Sequence, residues 1–221
     1  MCDMPLLFNI KNIVELIDSF IKHNNLLDCN KYLKNLKLKR YYFSKKYSLK
    51  YCNNKFFRDY ICSIIPSKQI CINLFGSNIR DVSMLSDIYE LDLTRCHYIN
   101  DVSMLGRLHK LNLLGCKNIH DISMLGKVHT LILSCCSQIN DVSMLGNVHI
   151  LYLDYCSNVY DVSMLRNVKI LNLSCTNVKD VSMLGNVHTL NLSWCKQITD
   201  ISMLKNVRNL NVSNCMNIKK D

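Results

Sequence analysis

One word is written seven times in this chain. DVSML or DISML begins at Asp81, Asp101, Asp121, Asp141, Asp161, Asp180 and Asp200, at intervals of 20 residues with one interval of 19. The full unit reads D-V-S-M-L-x-x-V-x-x-L-x-L-x-x-C-x-x-I-x. A unit this short cannot bury its own apolar side chains. It must stack on copies of itself, so a period of about 20 residues restricts the chain to a solenoid of coils in register.

Eight L-x-L cores fall in phase: Ile72/Leu74, Leu91/Leu93, Leu111/Leu113, Leu131/Leu133, Leu151/Leu153, Leu171/Leu173, Leu190/Leu192 and Leu210/Val212. Each is a short strand whose two apolar residues point the same way. Stacking places the strands side by side as a parallel sheet about 4.8 Å apart. The rest of each coil is too short to cross the back and return as a long helix, so that side is predicted to be 3₁₀ turn or extended chain. Val82, Leu85, Ile88, Leu91, Leu93, Cys96 and Ile99 then form one inward ring, with equivalents in every coil. The aspartate opening each unit is placed to accept the backbone N–H groups of the Ser and Met that follow. On this reading the repeated letters face inward or cap turns. The unit matches the leucine-rich-repeat pattern L-x-x-L-x-L-x-x-N/C-x-L at the short end of its range. The expected fold is an α/β solenoid, a superhelix of parallel strands with a 3₁₀ or extended convex side.

Two further columns invite a metal reading. Cys96, Cys116, Cys136, Cys156, Cys195 and Cys215 fill one slot, with Ser77 and Thr176 in the two shorter repeats. A column of neighbours is not a tetrahedron, so zinc is not expected, and a small weak donor beside turn backbone is. Tyr89, His109, His129, His149, Lys169, His188 and Arg208 form the column before the strand, read as a solvated position. A calcium ladder on the aspartates lacks the glycine-rich nonapeptide that such sites use. No metal and no cofactor are expected. There is no Gly-rich phosphate loop or nucleophile elbow, and the histidines and aspartates stack rather than converge, so no enzyme activity is expected.

Function is then expected where the copies differ. The x of L-x-L runs Asn73, Asp92, Asn112, Ile132, Tyr152, Asn172, Asn191, Asn211, so asparagine is the default and two central coils break it. Leu114, Ile132, Ile150, Tyr152, Asp154, Tyr155, Ile170 and Trp194 form the candidate partner-binding face. Aromatic anchors and contiguous exposed apolar patches mark protein interfaces. The expected partner is a protein held on the strand face.

Composition divides the chain near Pro66–Lys68. Residues 1–70 carry 13 Lys/Arg against 5 Asp/Glu, and residues 71–221 carry 14 against 12. The expected domains are 1–68, helical, and 69–221, the solenoid. Ile10, Ile13, Val14, Ile17 and Ile21 recur at helical spacing, and Leu26, Leu27, Leu33 and Leu36 do so less regularly. With NIVELIDSFI followed by LLDCNKYLKNL, this segment resembles an F-box, although Asn9–Ile10 stands where Leu-Pro is usual and the acidic residue of the turn is missing. The resemblance implies that Ile13, Ile17, Ile21, Leu26, Leu27 and Leu33 dock an adaptor subunit of a cullin-based (SCF-type) ubiquitin ligase while the repeats hold a substrate. The alternative is a plain repeat scaffold whose N-terminal helices only cap the solenoid. The Lys-, Asn- and Tyr-rich wording also resembles F-box-like repeat proteins of large DNA viruses.

The basic aromatic stretch YYFSKKYSLKYCNNKFF (41–57) is read as a linker helix packing its aromatics on the first repeat, with nucleic-acid contact not expected. No apolar run reaches the ~18 residues of a membrane span. Neither an export signal nor a disulfide framework is evident in a chain with 13 cysteines, so a cytoplasmic or nuclear setting is expected, in a host cell if the chain is viral. The last repeat, NVSNCMNIKKD, has no polar cap beyond Lys219 and Lys220, so its coil is expected to fray or to pack on a partner.

Overall fold

The structure, a computed structural model, describes residues 39–218. The F-box-like stretch, with Ile13, Ile17, Ile21, Leu26, Leu27 and Leu33, lies outside the described residues, as do Lys219 and Lys220. The chain divides into two compact units, 1–73 and 74–221. Nine short parallel strands run in chain order among the described residues, two in the first unit and seven in the second.

In the first unit β1 (Tyr41–Tyr42) pairs in parallel with β2 (Ile70–Asn73), and two helices lie between them in sequence, α1 (Lys45–Asn53) and α2 (Lys55–Ile64). Asn54 breaks the helices apart with an extended backbone, and its side-chain oxygen then caps α2 by accepting the Phe57 N–H at 2.9 Å. Most aromatics of the basic stretch are buried, and Tyr42 and Phe56 are exposed. Phe43, Tyr47, Tyr51 and Phe57 are buried within the unit, Phe43 edge-on to Tyr51 and Tyr47 stacked on Phe57. This corrects the linker-helix expectation: the stretch is a strand and two helices, and these aromatics make a small core of their own. Ser48, fully buried, ties α1 to the strand end by donating to the Phe43 carbonyl and accepting the Asn73 N–H.

The second unit is the solenoid. Strands β3 (Glu90–Asp92), β4 (Lys110–Asn112), β5 (Thr130–Ile132), β6 (Ile150–Tyr152), β7 (Ile170–Asn172), β8 (Thr189–Asn191) and β9 (Asn209–Asn211) pair in sequence order. Leu91, Leu111, Leu131, Leu151, Leu171, Leu190 and Leu210 stand side by side in that register. The 19-residue coil loses its residue between Thr176 and Asp180, outside the strand, so strand register survives. The expected inward ring is buried in every coil before the last, and Leu151 and Leu153 are wholly dry. The last coil is looser. Leu210, Val212, Cys215 and Ile218 are all partly exposed.

The back of every coil is a 3₁₀ turn over Ser-Met-Leu, from Ser83–Leu85 to Ser202–Leu204. In each, the aspartate accepts the N–H of the Ser two residues on, at 2.7–2.9 Å. That N–H and then the Ser hydroxyl hold six of these carboxyls, from Asp81 to Asp180, below their ordinary pKa. Only the Ser, and not the Met, supplies a backbone donor to the cap.

The methionine corrects a larger expectation. It is repeated in every unit, yet it neither faces inward nor caps. A 3₁₀ turn brings residues i and i+3 onto one side, so Val82 and Leu85 share the core face while the Met between them points away. Met104, Met124, Met144, Met164, Met183 and Met203 are 45–62% exposed.

The cysteine slot is a hydrogen-bonding column. Cys96, Cys116, Cys136, Cys156, Cys195 and Cys215 each donate their thiol to a carbonyl of the preceding coil at 2.9–3.1 Å. Thr176 instead serves its own coil, donating to the Leu173 carbonyl at 2.6 Å. A thiol here satisfies a buried acceptor while remaining nearly apolar itself. Burial pushes the Cys116 and Cys156 thiols up to about 12, so these two stay protonated.

Candidate protein-binding face

Two structural rules govern the strand face. The first concerns the x position of L-x-L. Asp92, Asn112, Asn172, Asn191 and Asn211 each accept the N–H two residues on, at 2.9–3.1 Å, which closes an Asx turn where the strand ends. The default asparagine is therefore a fold residue, although it lies on the outer face. Ile132 and Tyr152 cannot make this bond. Their coils forgo it, and they stand directly side by side across β5 and β6.

The second rule concerns the position two residues after the second leucine, where the backbone turns left-handed in every coil. Gly76 and Gly115 do so freely, but Arg95, Cys135, Tyr155, Cys175, Trp194 and Asn214 sit at φ 56–65° with side chains attached. The left-handed region costs an L-residue roughly 1–2 kcal/mol. Tyr155 and Trp194, bulky rings with no local hydrogen bond to favour this backbone, are 59% and 48% exposed. Nothing in the sequence pattern alone marks this column as strained. The only trace is the pair of glycines in it.

These placements assemble most of the expected site. Ile150 and Ile170 are paired across β6 and β7, and with Ile132 and Tyr152 they give a half-buried apolar strip over three adjacent strands. Leu114 is half-buried beyond it, and Tyr155 and Trp194 stand along one rim. Asp154 belongs to the scaffold: its carboxylate accepts the Ser134 hydroxyl at 2.7 Å and the Asn172 amide at 3.1 Å, pinning three coils together. Two cysteines share the left-handed column with Tyr155, Cys135, exposed, and Cys175, half-buried.

The column before the strands is exposed but ordered. Tyr89, His109, His129 and His149 form a continuous ring stack with centroids 4.5–4.7 Å apart. The lone pairs of stacked imidazoles lie in near-parallel planes, so they do not converge on a metal. No group of three His, Cys, Asp or Glu that could hold one occurs among the described residues. No helix among them is long and apolar enough to cross a membrane.

Strands in register, 3₁₀ turns behind them and a polar slot at the strand's end define a leucine-rich-repeat solenoid. Solved structures share this fold. The chain is similar to an internalin C2 from Listeria monocytogenes (19% identity over 71% of this chain and 84% of that one, TM-score 0.51). It is also similar to an internalin, inlF, from the same organism (22% identity over 70% of this chain and 56% of that one, TM-score 0.50). No family model matches the sequence, and no curated protein matches it significantly.

Proposed function

We propose that the strand face binds a protein partner through Ile132, Ile150, Tyr152, Ile170, Tyr155 and Trp194, and that the chain is a non-catalytic recognition scaffold. The observation that carries this reading is the cost the array bears at Ile132, Tyr152, Tyr155 and Trp194, beside which Ile150 and Ile170 extend the apolar strip. Two coils give up the Asx turn for Ile132 and Tyr152, and two large exposed rings occupy a left-handed backbone position that Gly76 and Gly115 take freely and that Arg95, Cys135, Cys175 and Asn214 fill in the other coils. Strain held at exposed aromatics points to a use for them. Tyr and Trp are also the side chains that bind with little loss of rotamer freedom. The ligase-adaptor role rests on the F-box resemblance of residues 9–37 alone, and no observation of the fold favours it.

A photo-crosslinking amino acid at position 152, with the exposed position 63 on α2 as control, tests the reading in cells that express the full chain. A discrete protein adduct at 152, absent at 63 and lost on Trp194→Asp, is expected. Equal yields at the two positions would remove the strand face as the binding site.

A further inference from the structure

The methionine ridge has no part in the core, the caps or the strand face. We propose that it is a second docking surface, and that its occupant is an amphipathic helix carrying acidic residues along one flank.

The ridge is built rather than incidental. At Gly106, Gly126, Gly146 and Gly185 an added Cβ would collide with the carbonyl oxygen of the next coil's methionine. Glycine thus lets successive 3₁₀ turns close up, and the methionines rise from a floor without side chains. Between Met104, Met124 and Met144 this leaves an open cleft of ≈ 600 Å³. Six thioethers about half exposed, in one line, expose apolar surface on the order of several hundred Å², the range that marks interaction sites. Methionine adapts its shape to a partner better than any branched residue.

Spacing selects the occupant's form. Coils repeat at about 4.8 Å and helix turns at about 5.4 Å, so a helix laid along the ridge drifts by only ~2 Å over three turns. Flexible thioethers absorb that drift. Charge selects its composition. Lys127 and Arg107 line the cleft, Asp87 stands at the same repeat position one coil earlier, and Arg166 and Lys205 add positive charge at the glycine position of later coils. The other side is the row of aspartates from Asp81 to Asp200. An acidic flank therefore suits the Lys/Arg side only. An anionic lipid surface, meeting both sides at once, would be repelled by the aspartates.

The test uses the full chain with ¹³C-labelled methionine methyls. The sequence holds ten methionines, so ten signals are assignable by single substitution to leucine. The probes are two synthetic helices of about 18 residues sharing one apolar stripe, one flanked by glutamate and the other by lysine. Shifts at Met104, Met124 and Met144 with the glutamate peptide are expected, together with roughly tenfold weaker binding of the lysine peptide and weakening with salt. Met124→Ser with Met144→Ser should lower affinity roughly tenfold, and the paired leucine variant should retain it. The proposal is overturned if those methyls do not move, if the two peptides bind equally, or if phosphatidylserine vesicles move them and the peptides do not. It does not depend on the strand-face reading.

Discussion

Gly146 tests most directly how the coils are held. A Cβ built there would lie 2.5 Å from the Met164 carbonyl oxygen of the next coil. An ordinary carbon–oxygen contact is about 3.3–3.6 Å, so an alanine must open the back of the solenoid by nearly 1 Å. The strand side cannot follow freely, because Leu153 N–H to Asn172 O at 2.8 Å and Tyr155 N–H to Ser174 O at 3.0 Å clamp the same two coils. Overpacking of this size costs about 1–3 kcal/mol. Alanine recovers about 0.4–1 kcal/mol by restricting the unfolded chain. The net expectation for Gly146→Ala is a loss of about 1–2 kcal/mol, a fall in Tm of roughly 2–8 °C. Gly106 and Gly126 approach their neighbours more closely than Gly146 does, and Gly185, at 2.6 Å, is slightly looser, so the losses should follow that order. Ser86, Arg166 and Lys205 already carry a side chain at this position, and Arg166→Ala should change stability by less than about 0.5 kcal/mol. Urea unfolding followed by circular dichroism measures all of these. A midpoint for Gly126→Ala equal to or above that of the parent would show that close approach is not what places glycine there.

Other consequences of the same geometry can be checked independently. Because Ser N–H groups hold the aspartates below the ordinary carboxylate range, their contribution is fully present above about pH 4–5 and is lost as pH falls through the lowered values, so the urea midpoint should drop on acidification. Asp121→Asn keeps an acceptor without a titration and should reduce that slope, and an unchanged pH profile would count against the capping role. Tyr155→Gly exchanges a strained left-handed tyrosine for a more flexible chain and some lost ring contact. Its stability should stay within about 1 kcal/mol of the parent while crosslinking from position 152 is lost, and a larger destabilisation would mean that the ring is structural. In the folded chain a maleimide should modify the exposed Cys62 and Cys135 and spare Cys116, Cys136 and Cys156, which should react only after urea unfolds the coils. Rapid labelling of Cys136 without denaturant would contradict the buried thiol column.

The solenoid was legible because its period is a statement about packing. Leu91, Leu93, Cys96 and Ile99 recur at fixed offsets only if each touches its own copy in the next coil, and burial follows from that alone. What the pattern could not separate is repetition imposed by the core from repetition imposed elsewhere. Met104 is as regular as Leu105, yet one faces solvent and the other is dry, because a 3₁₀ turn sends adjacent side chains to different sides. Asn172 is as outward as Tyr152, yet the first closes a turn with its own backbone and the second closes none. Asp154 looked like a departure available to a partner, but its carboxylate is held by Ser134 and Asn172. Variation by itself is therefore a weak guide to binding on such an array. A stronger one is variation that the array holds at a measurable cost to itself. Ile132 and Tyr152 meet that condition through a missing Asx bond, Tyr155 and Trp194 through a left-handed backbone, and Leu114 through neither, since its N–H still finds Asn112 at 3.1 Å. Contact at Leu114 should accordingly matter less than contact at Tyr152, Tyr155 or Trp194.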